Sequence, residues 1–342
     1  MFIFFTVVAL ACAIGANWHR GLLIQDAEEQ KRAQQLSELR PRVDFDTIDE
    51  CCWLHGLGIC KSRHVRIAVI GVIATPHPHV FNIDNTLMST LGIVSRCNSL
   101  TKLSVSGNNC FPDASNLIAK SLRLKSLDVS LSDIGDGDID ILSELPELSM
   151  INMVMTRNVS DRGLRSLPNF RRLTDIRLAL RPMSTDSVVS LSRCRRLETI
   201  TLEGSIAHDA DLSLLSHCGN LKTLTCRFYE SNDALLDQVA SINSLESLVV
   251  AGQFTRRGLR QLRKLPHLKH MTIESASMAD SDYGEFALFP ALESISVIGS
   301  LTITNEGISS ICQMPTLRHL GIYSCNISST DVRVSTNVII EF

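Results

Sequence analysis

Arg196-Leu-Glu-Thr-Ile-Thr-Leu202 carries a short phrase, Leu-x-x-Leu-x-Leu in its fullest form, that this chain uses ten times. Ile, Met, Val or Cys stand in at some of its positions. The first leucines are Leu100, Leu124, Leu148, Leu173, Leu197, Leu221, Leu245, Leu268, Leu292 and Leu317, so successive copies lie 23 to 25 residues apart. A period held that closely is the signature of a solenoid, in which each unit buries its apolar face only by stacking on its neighbours. Alternation within the phrase turns Ile200 and Leu202 inward. It sets Thr199, Thr201 and Glu203 on the opposite, concave face of a parallel sheet.

The second half of each unit reads as helix. Val159-Ser-Asp-Arg-Gly-Leu-Arg-Ser-Leu167, Phe254-Thr-Arg-Arg-Gly-Leu-Arg-Gln-Leu262 and Ile303-Thr-Asn-Glu-Gly-Ile-Ser-Ser-Ile311 share one form. Ser160 and Thr304 suit an N-cap, and Asp161 or Glu306 falls in the first turn, where the helix dipole favours an anion. Apolar positions at i and i+3 face inward. Each unit is therefore strand, turn, helix, turn, and the stack curves because helices are wider than strands. Cys97, Cys194 and Cys218 each stand three residues before a first leucine. A free cysteine is a good small buried hydrophobe, so these three read as core thiols.

These motifs resemble the leucine-rich repeats of the ribonuclease-inhibitor-like and cysteine-containing subclasses, including the Ser/Thr-Asp-x-Gly-Leu-x-x-Leu helix start. The resemblance covers about residues 99–330. It implies an α/β horseshoe with a concave parallel sheet, convex helices, no enzyme activity and a surface that binds protein. The chain departs from the commonest consensus at the Asn nine residues into the repeat. Only Asn108 keeps it, while Ser132, Thr156, Arg181, Ser205, Tyr229, Gln253, Ala276, Ser300 and Cys325 occupy the other copies. The inter-repeat asparagine ladder should be largely missing. The whole layout is also similar to a large bacterial family of membrane-anchored leucine-rich repeat proteins.

Ahead of the repeats, residues 1–18 (MFIFFTVVALACAIGANW) contain no charge. As a helix they span ~27 Å, against a hydrocarbon core of about 30 Å. An uncleaved single-pass anchor competes with a signal segment cleaved after Ala11-Cys12-Ala13, which would leave the protein secreted or periplasmic. Cys12 after Ala11 also resembles a lipoprotein box, poorly matched by Ala9. Basic residues follow the span and none precedes it, so the positive-inside count puts the bulk in the cytoplasm. A start codon chosen too late would reverse that reading. Residues 25–40 form a charged juxtamembrane helix by composition, within a 19–42 segment. Residues 43–98 are an irregular lead-in and N-terminal cap, with a strand at 65–71 and a helix at 84–97. The repeat domain with its C-terminal cap occupies 99–342.

The net charge is −3, and no strong single-sign run stands out, so no general attraction to nucleic acid is expected. Eleven cysteines, an odd number spaced by the repeat, do not form a disulfide framework. Cys51-Cys52-x-x-His55-x4-Cys60-x3-His64 and the His77/His79 pair have metal-like residues. Their order matches no ligand pattern, and packing is the better reading. Neither a nucleophile–base arrangement nor a phosphate loop is present, and no cofactor is implied.

The concave face offers two readable outward columns, one through Ser104, Arg177 and Gly321, the next through Ser106, Glu203 and Tyr323. Most of their members are small and polar. The exceptions are Arg177, Glu203, Arg227, Phe228, Tyr229, His270, Glu274, His319 and Tyr323. Arg177, Glu203, Arg227, Tyr229, Glu274 and Tyr323 are the candidate partner-binding residues, Arg and Tyr being favoured at interface hot spots. Glu203 and Arg227, on adjacent strands, can equally pair with each other. Three functions remain: a membrane-anchored protein-interaction module, a ubiquitin-ligase substrate receptor, and a structural envelope component without a specific ligand. The second lacks a convincing F-box-like helical domain ahead of the repeats.

Overall fold

The computed structural model describes the backbone of residues 43–49 and 63–70. It further describes residues 91–92, 95–96, 100–106, 113–228, 230–274, 278–325, 327 and 338–341. The uncharged N-terminal segment, the 25–40 helix, the Cys51–Cys60 cluster, His77, His79, Cys97, Asn108 and Tyr229 lie outside these residues, as does most of the 84–97 helix. Among the described residues no helix is long and apolar enough to cross a membrane.

One sheet runs the length of the molecule, its thirteen described strands neighbouring one another in chain order. They are β1 (Val43–Asp49), β2 (Arg63–Ile70), β3 (Lys102–Ser104), β4 (Ser126–Asp128), β5 (Met150–Met153), β6 (Asp175–Met183), β7 (Thr199–Ile206), β8 (Thr223–Phe228), β9 (Ser247–Ala251), β10 (His270–Glu274), β11 (Ser294–Ile298), β12 (His319–Tyr323) and β13 (Ile339–Glu341). From β2 onward every neighbour is parallel, whereas β1 runs antiparallel to β2. β1 corrects the expectation of an irregular lead-in over 43–98 at its first residues, 43–49. Val43-Asp-Phe-Asp46 alternates apolar and acidic residues, the period of a strand.

The repeat phrase accounts for the core. The column Leu103, Leu127, Ile151, Ile176, Ile200, Leu224, Leu248, Met271, Ile295, Leu320 is in register from strand to strand. It is buried throughout, as are the ten first leucines. Between the strands lie short helices: α1 (Asp113–Ile118), α2 (Asp136–Leu142), α3 (Asp161–Leu164), α4 (Thr185–Ser192), α5 (Asp233–Val239), α6 (Arg256–Leu262), α7 (Asp280–Tyr283) and α8 (Asn305–Cys312). One repeat departs from this plan and carries only a 3-10 turn at Leu212–His217.

The helix starts hold neighbouring repeats together. Asp136, first residue of α2, accepts the backbone N–H of Ser160 at 2.8 Å and its hydroxyl at 2.6 Å. Ser160 is in turn the N-cap of α3 and accepts from the Arg162 N–H. The same clamp joins Asp233 to Thr255, at 2.8 and 2.5 Å, and Asp280 to Thr304, at 2.9 and 2.5 Å. Asp161 takes the hydroxyls of Ser184 and Ser187. The motif glycine follows from this contact, because a Cβ on Gly258 would lie 2.5 Å from Asp233 Oδ1, and one on Gly163 would lie 2.5 Å from Asp136 Oδ1. Each clamp gives an orphan helix-start donor a charged acceptor from the repeat before it.

The clamp bridges neighbouring repeats at their helix starts. At the ladder position Ser132 and Thr156 donate instead to carbonyls of their own turn, Val129 at 2.6 Å and Met153 at 3.0 Å. Cys194 and Cys218 occupy the core as the sequence implies. Burial, with Cys218 alongside, pushes the Cys194 thiol up to about 12, and burial pushes Cys218 up to about 11.

Candidate functional site

The concave columns form as the alternation requires. Ser104, Asp128, Asn152, Arg177, Thr201, Thr225, Val249, Thr272, Ser296 and Gly321 are in register across ten strands. The next column places Ala179, Glu203, Arg227, Ala251, Glu274, Ile298 and Tyr323 side by side. Phe228 does not belong to this face. It is buried to 2 % exposure, the inward neighbour of outward Arg227.

Three of the six candidates form one ion cluster. Arg227 reaches over Ala251 to Glu274 two strands away, with Nε and Nη2 each 2.8 Å from a carboxylate oxygen. Its Nη1 donates to Glu203 at 3.3 Å. The small side chain at Ala251 is what leaves that path open. The hydrogen bonds to Glu274, then those to Glu203, hold the guanidinium still more firmly protonated, against the pull of partial burial. Arg227 is 42 % exposed, so the cluster remains accessible, one guanidinium shared between two carboxylates.

Tyr323 is also engaged. Its hydroxyl donates to Glu341 on β13 at 2.5 Å, which raises its pKa by stabilising the protonated phenol. Its ring lies over Gly321, where a Cβ would come within 2.5 Å of the ring. Arg177, in contrast, is exposed and has no side-chain hydrogen bond or ion pair among the described residues.

Sequence reasoning missed the edge where the strands end. Seven residues after the first leucine the backbone turns left-handed, with glycine at Gly204 (φ 109°), Gly252 (φ 152°) and Gly299 (φ 67°). The same position holds Leu131 (φ 57°), Met155 (φ 58°) and Ser324 (φ 54°). Large side chains rarely adopt this conformation, which costs roughly 1–2 kcal/mol. Leu131 and Met155 sit on adjacent repeats and are 55 % and 52 % exposed. The only signal in the sequence was Leu and Met in a column where other repeats carry Gly.

Residues 162–196 contain nine arginines and two aspartates, in a chain of net charge −3. They form no unbroken run, and the β6–β7 register brings those of successive repeats alongside one another. A second basic stretch, on α6, is largely consumed internally. Arg256 Nε lies 2.7 Å from Glu285, a carboxylate only 3 % exposed, and Arg260 and Arg263 pair with it as well. Among the described residues no cluster of three or more His, Cys, Asp or Glu could hold a metal ion.

Stacked strand–turn–helix units around one parallel sheet make this a leucine-rich repeat solenoid. No protein-family profile matches the sequence, and no curated protein matches it. Among solved structures it is similar to the TLR13 chain of a TLR13–ssRNA13 complex, at 18% identity over 71% of this chain and a TM-score of 0.50. It is also similar to an internalin (InlF) from Listeria monocytogenes, at 13% identity over 70% of each chain and a TM-score of 0.48. The chain spans 37% of the length of the TLR13 chain. At these identities the likeness is one of fold.

Proposed function

We propose that this protein is a non-enzymatic interaction module that binds a protein partner through the concave sheet and the edge where its strands end. The observation that carries this reading is the pair Leu131 and Met155, large, exposed and held at positive φ on adjacent repeats. Backbone strain and exposed apolar surface both lower stability, and a contact surface is the common reason for keeping them. Val154 and the unpartnered Arg177 extend the same face toward the sheet. The Arg227–Glu203–Glu274 cluster and Tyr323 provide polar contacts along it, with Tyr229 as a further candidate.

The finer assignment is a chain with an anchor or signal segment at 1–18, a charged helix within 19–42, a cap over 43–98 and repeats over 99–342. Its repeats fall closest to the ribonuclease-inhibitor-like subclass, and the protein is single-pass in a membrane or, if the segment is cleaved, secreted or periplasmic. Cross-linking in intact cells with mass spectrometry tests the function. A reproducible partner whose cross-links fall on 130–179 and disappear in Leu131→Gly/Arg177→Ser supports it. Recovery of ligase subunits would favour the substrate-receptor reading, and no enriched partner would favour an envelope component. Protease shaving of fractionated cells tests the anchor and its side.

A further inference from the structure

The strand-start edge of the fourth and fifth repeats, opposite the edge bearing Leu131 and Met155, presents a row of arginines. The pairing of Asp175 with Thr199 sets β6 against β7 in register. The turns that lead into these strands therefore stack Arg171 beside Arg195 and Arg172 beside Arg196. Arg193 and Arg195 line an open hollow with Ser192, His217 and Gly219. All of these arginines are exposed. Arg172 is matched by Glu147, its Nη1 lying 2.5 Å from the carboxylate. Arg171, Arg193, Arg195 and Arg196 have no side-chain hydrogen bond or ion pair among the described residues.

We propose that this edge is a second docking site, and that it takes a short acidic peptide segment of the protein partner. The proposal rests on the interaction-module reading and names the chemistry of what is bound. A guanidinium matches a carboxylate bidentately, and a row of them favours consecutive Asp and Glu side chains. Cys194, between Arg193 and Arg195, and Cys218 in the next turn are buried, so the exposed arginines stand on packed core. The row is also narrow. Glu144 and Glu147 precede it on the turn before, Glu198 lies beside it at the start of β7, and the following turn is the uncharged Gly219-Asn220. Charges farther than about 8 Å are largely screened in physiological salt. A short acidic segment therefore meets only the arginines, whereas a long polyanion such as a nucleic acid runs onto the flanking carboxylates.

The test uses the full chain, a fluorescein-labelled peptide of alternating Asp and Glu, and anisotropy at physiological salt. The wild type is expected to bind the peptide, and not its Asn/Gln counterpart. Arg171→Gln/Arg195→Gln/Arg196→Gln should weaken binding about tenfold or more, with an unchanged circular dichroism spectrum. Arg257→Gln/Lys264→Gln, on and just after the basic helix α6, should leave it within about twofold. Three results would overturn the proposal. The peptide does not bind; both sets of substitutions weaken it equally; or a mixed-sequence single-stranded oligonucleotide binds more tightly than the peptide and is lost in the same triple variant. Because Leu131→Gly/Arg177→Ser reports on the opposite edge, failure here leaves the interaction-module reading standing or falling on its own cross-links.

Discussion

Replacing Gly258 by Ala isolates the clamp between repeats. In an unobstructed helix the change would stabilise by about 0.8–1 kcal/mol. Here the new Cβ would sit 2.5 Å from Asp233 Oδ1, and 2.9 Å from both Asp233 Cγ and Leu236 Cδ1. Asp233 must swing away, and in doing so it loses the Thr255 N–H and hydroxyl, held at 2.8 and 2.5 Å. Hydrogen bonds to a charged group contribute about 1.5–3 kcal/mol each, toward the low end where solvent competes. The net expectation is a loss of about 1–3 kcal/mol. Asp233→Ala should cost a similar amount, including about 0.3–1 kcal/mol from the start of α5. The double variant has nothing left to collide with at Oδ1, so it should be less destabilised than the sum by roughly 1 kcal/mol or more. Gly137, with no atom within 4 Å of its Cβ position, is the control, and Gly137→Ala should be neutral or stabilising. Urea denaturation followed by circular dichroism measures all four, with the slope checked because solenoids depart from two-state unfolding. A Gly258→Ala protein at least as stable as the wild type, or a strictly additive double variant, would refute the clamp.

Three further outcomes are expected. Leu131→Gly and Met155→Gly should each raise stability by about 0.5–1 kcal/mol, relief at positive φ exceeding the entropy glycine adds to the unfolded chain, while weakening partner capture; a loss of stability would contradict the strain. Arg227→Met should cost less than about 1 kcal/mol, since the guanidinium is 42 % exposed and its pairs are screened by salt; a larger loss in thermal denaturation would show that the cluster is structural. Burial raises Cys194 from the ordinary 9.0 to about 12 and Cys218 to about 11, so the unfolded chain releases these protons first. Stability should therefore hold below pH 9 and fall as the pH rises above it, by about 1.4 kcal/mol per thiol for each further unit until the folded thiol ionises. Cys194→Ala/Cys218→Ala should flatten that fall. In the native protein, alkylation read by peptide mass spectrometry should spare Cys194, Cys218 and the fully buried Cys226 relative to half-buried Cys312 and Cys325.

Side-chain direction along a strand or a short helix is a local property, which is why so much was legible in the sequence. The leucine period set the number of repeats, Ile200 and Leu202 faced inward as alternation demands, and Ser160 and Thr304 capped their helices. The near-absence of the asparagine ladder was equally readable, because it needs a named residue at a fixed place. The recurring spacing of Asp and Gly in the helix start is visible in the sequence but not explained by it, since its meaning lies in the contact between one repeat and the next. Phe228 was misplaced for a related reason: the strand alternation that exposes Arg227 turns its neighbour inward, so being near the concave residues in sequence did not put it on their face.

What sequence alone determined is therefore the solenoid: a backbone periodicity fixed by residues within one unit. Tertiary structure decided everything that depends on stacking. It set Asp233 against Gly258 and sent Arg227 across Ala251 to Glu274. It put Leu131 and Met155 side by side at positive φ, and lined up Arg171 with Arg195 from positions a full repeat apart. The physical reason is one of distance. Residues about 24 apart in the chain become neighbours only when whole units pack, and the reach of the intervening side chains then decides which of them meet.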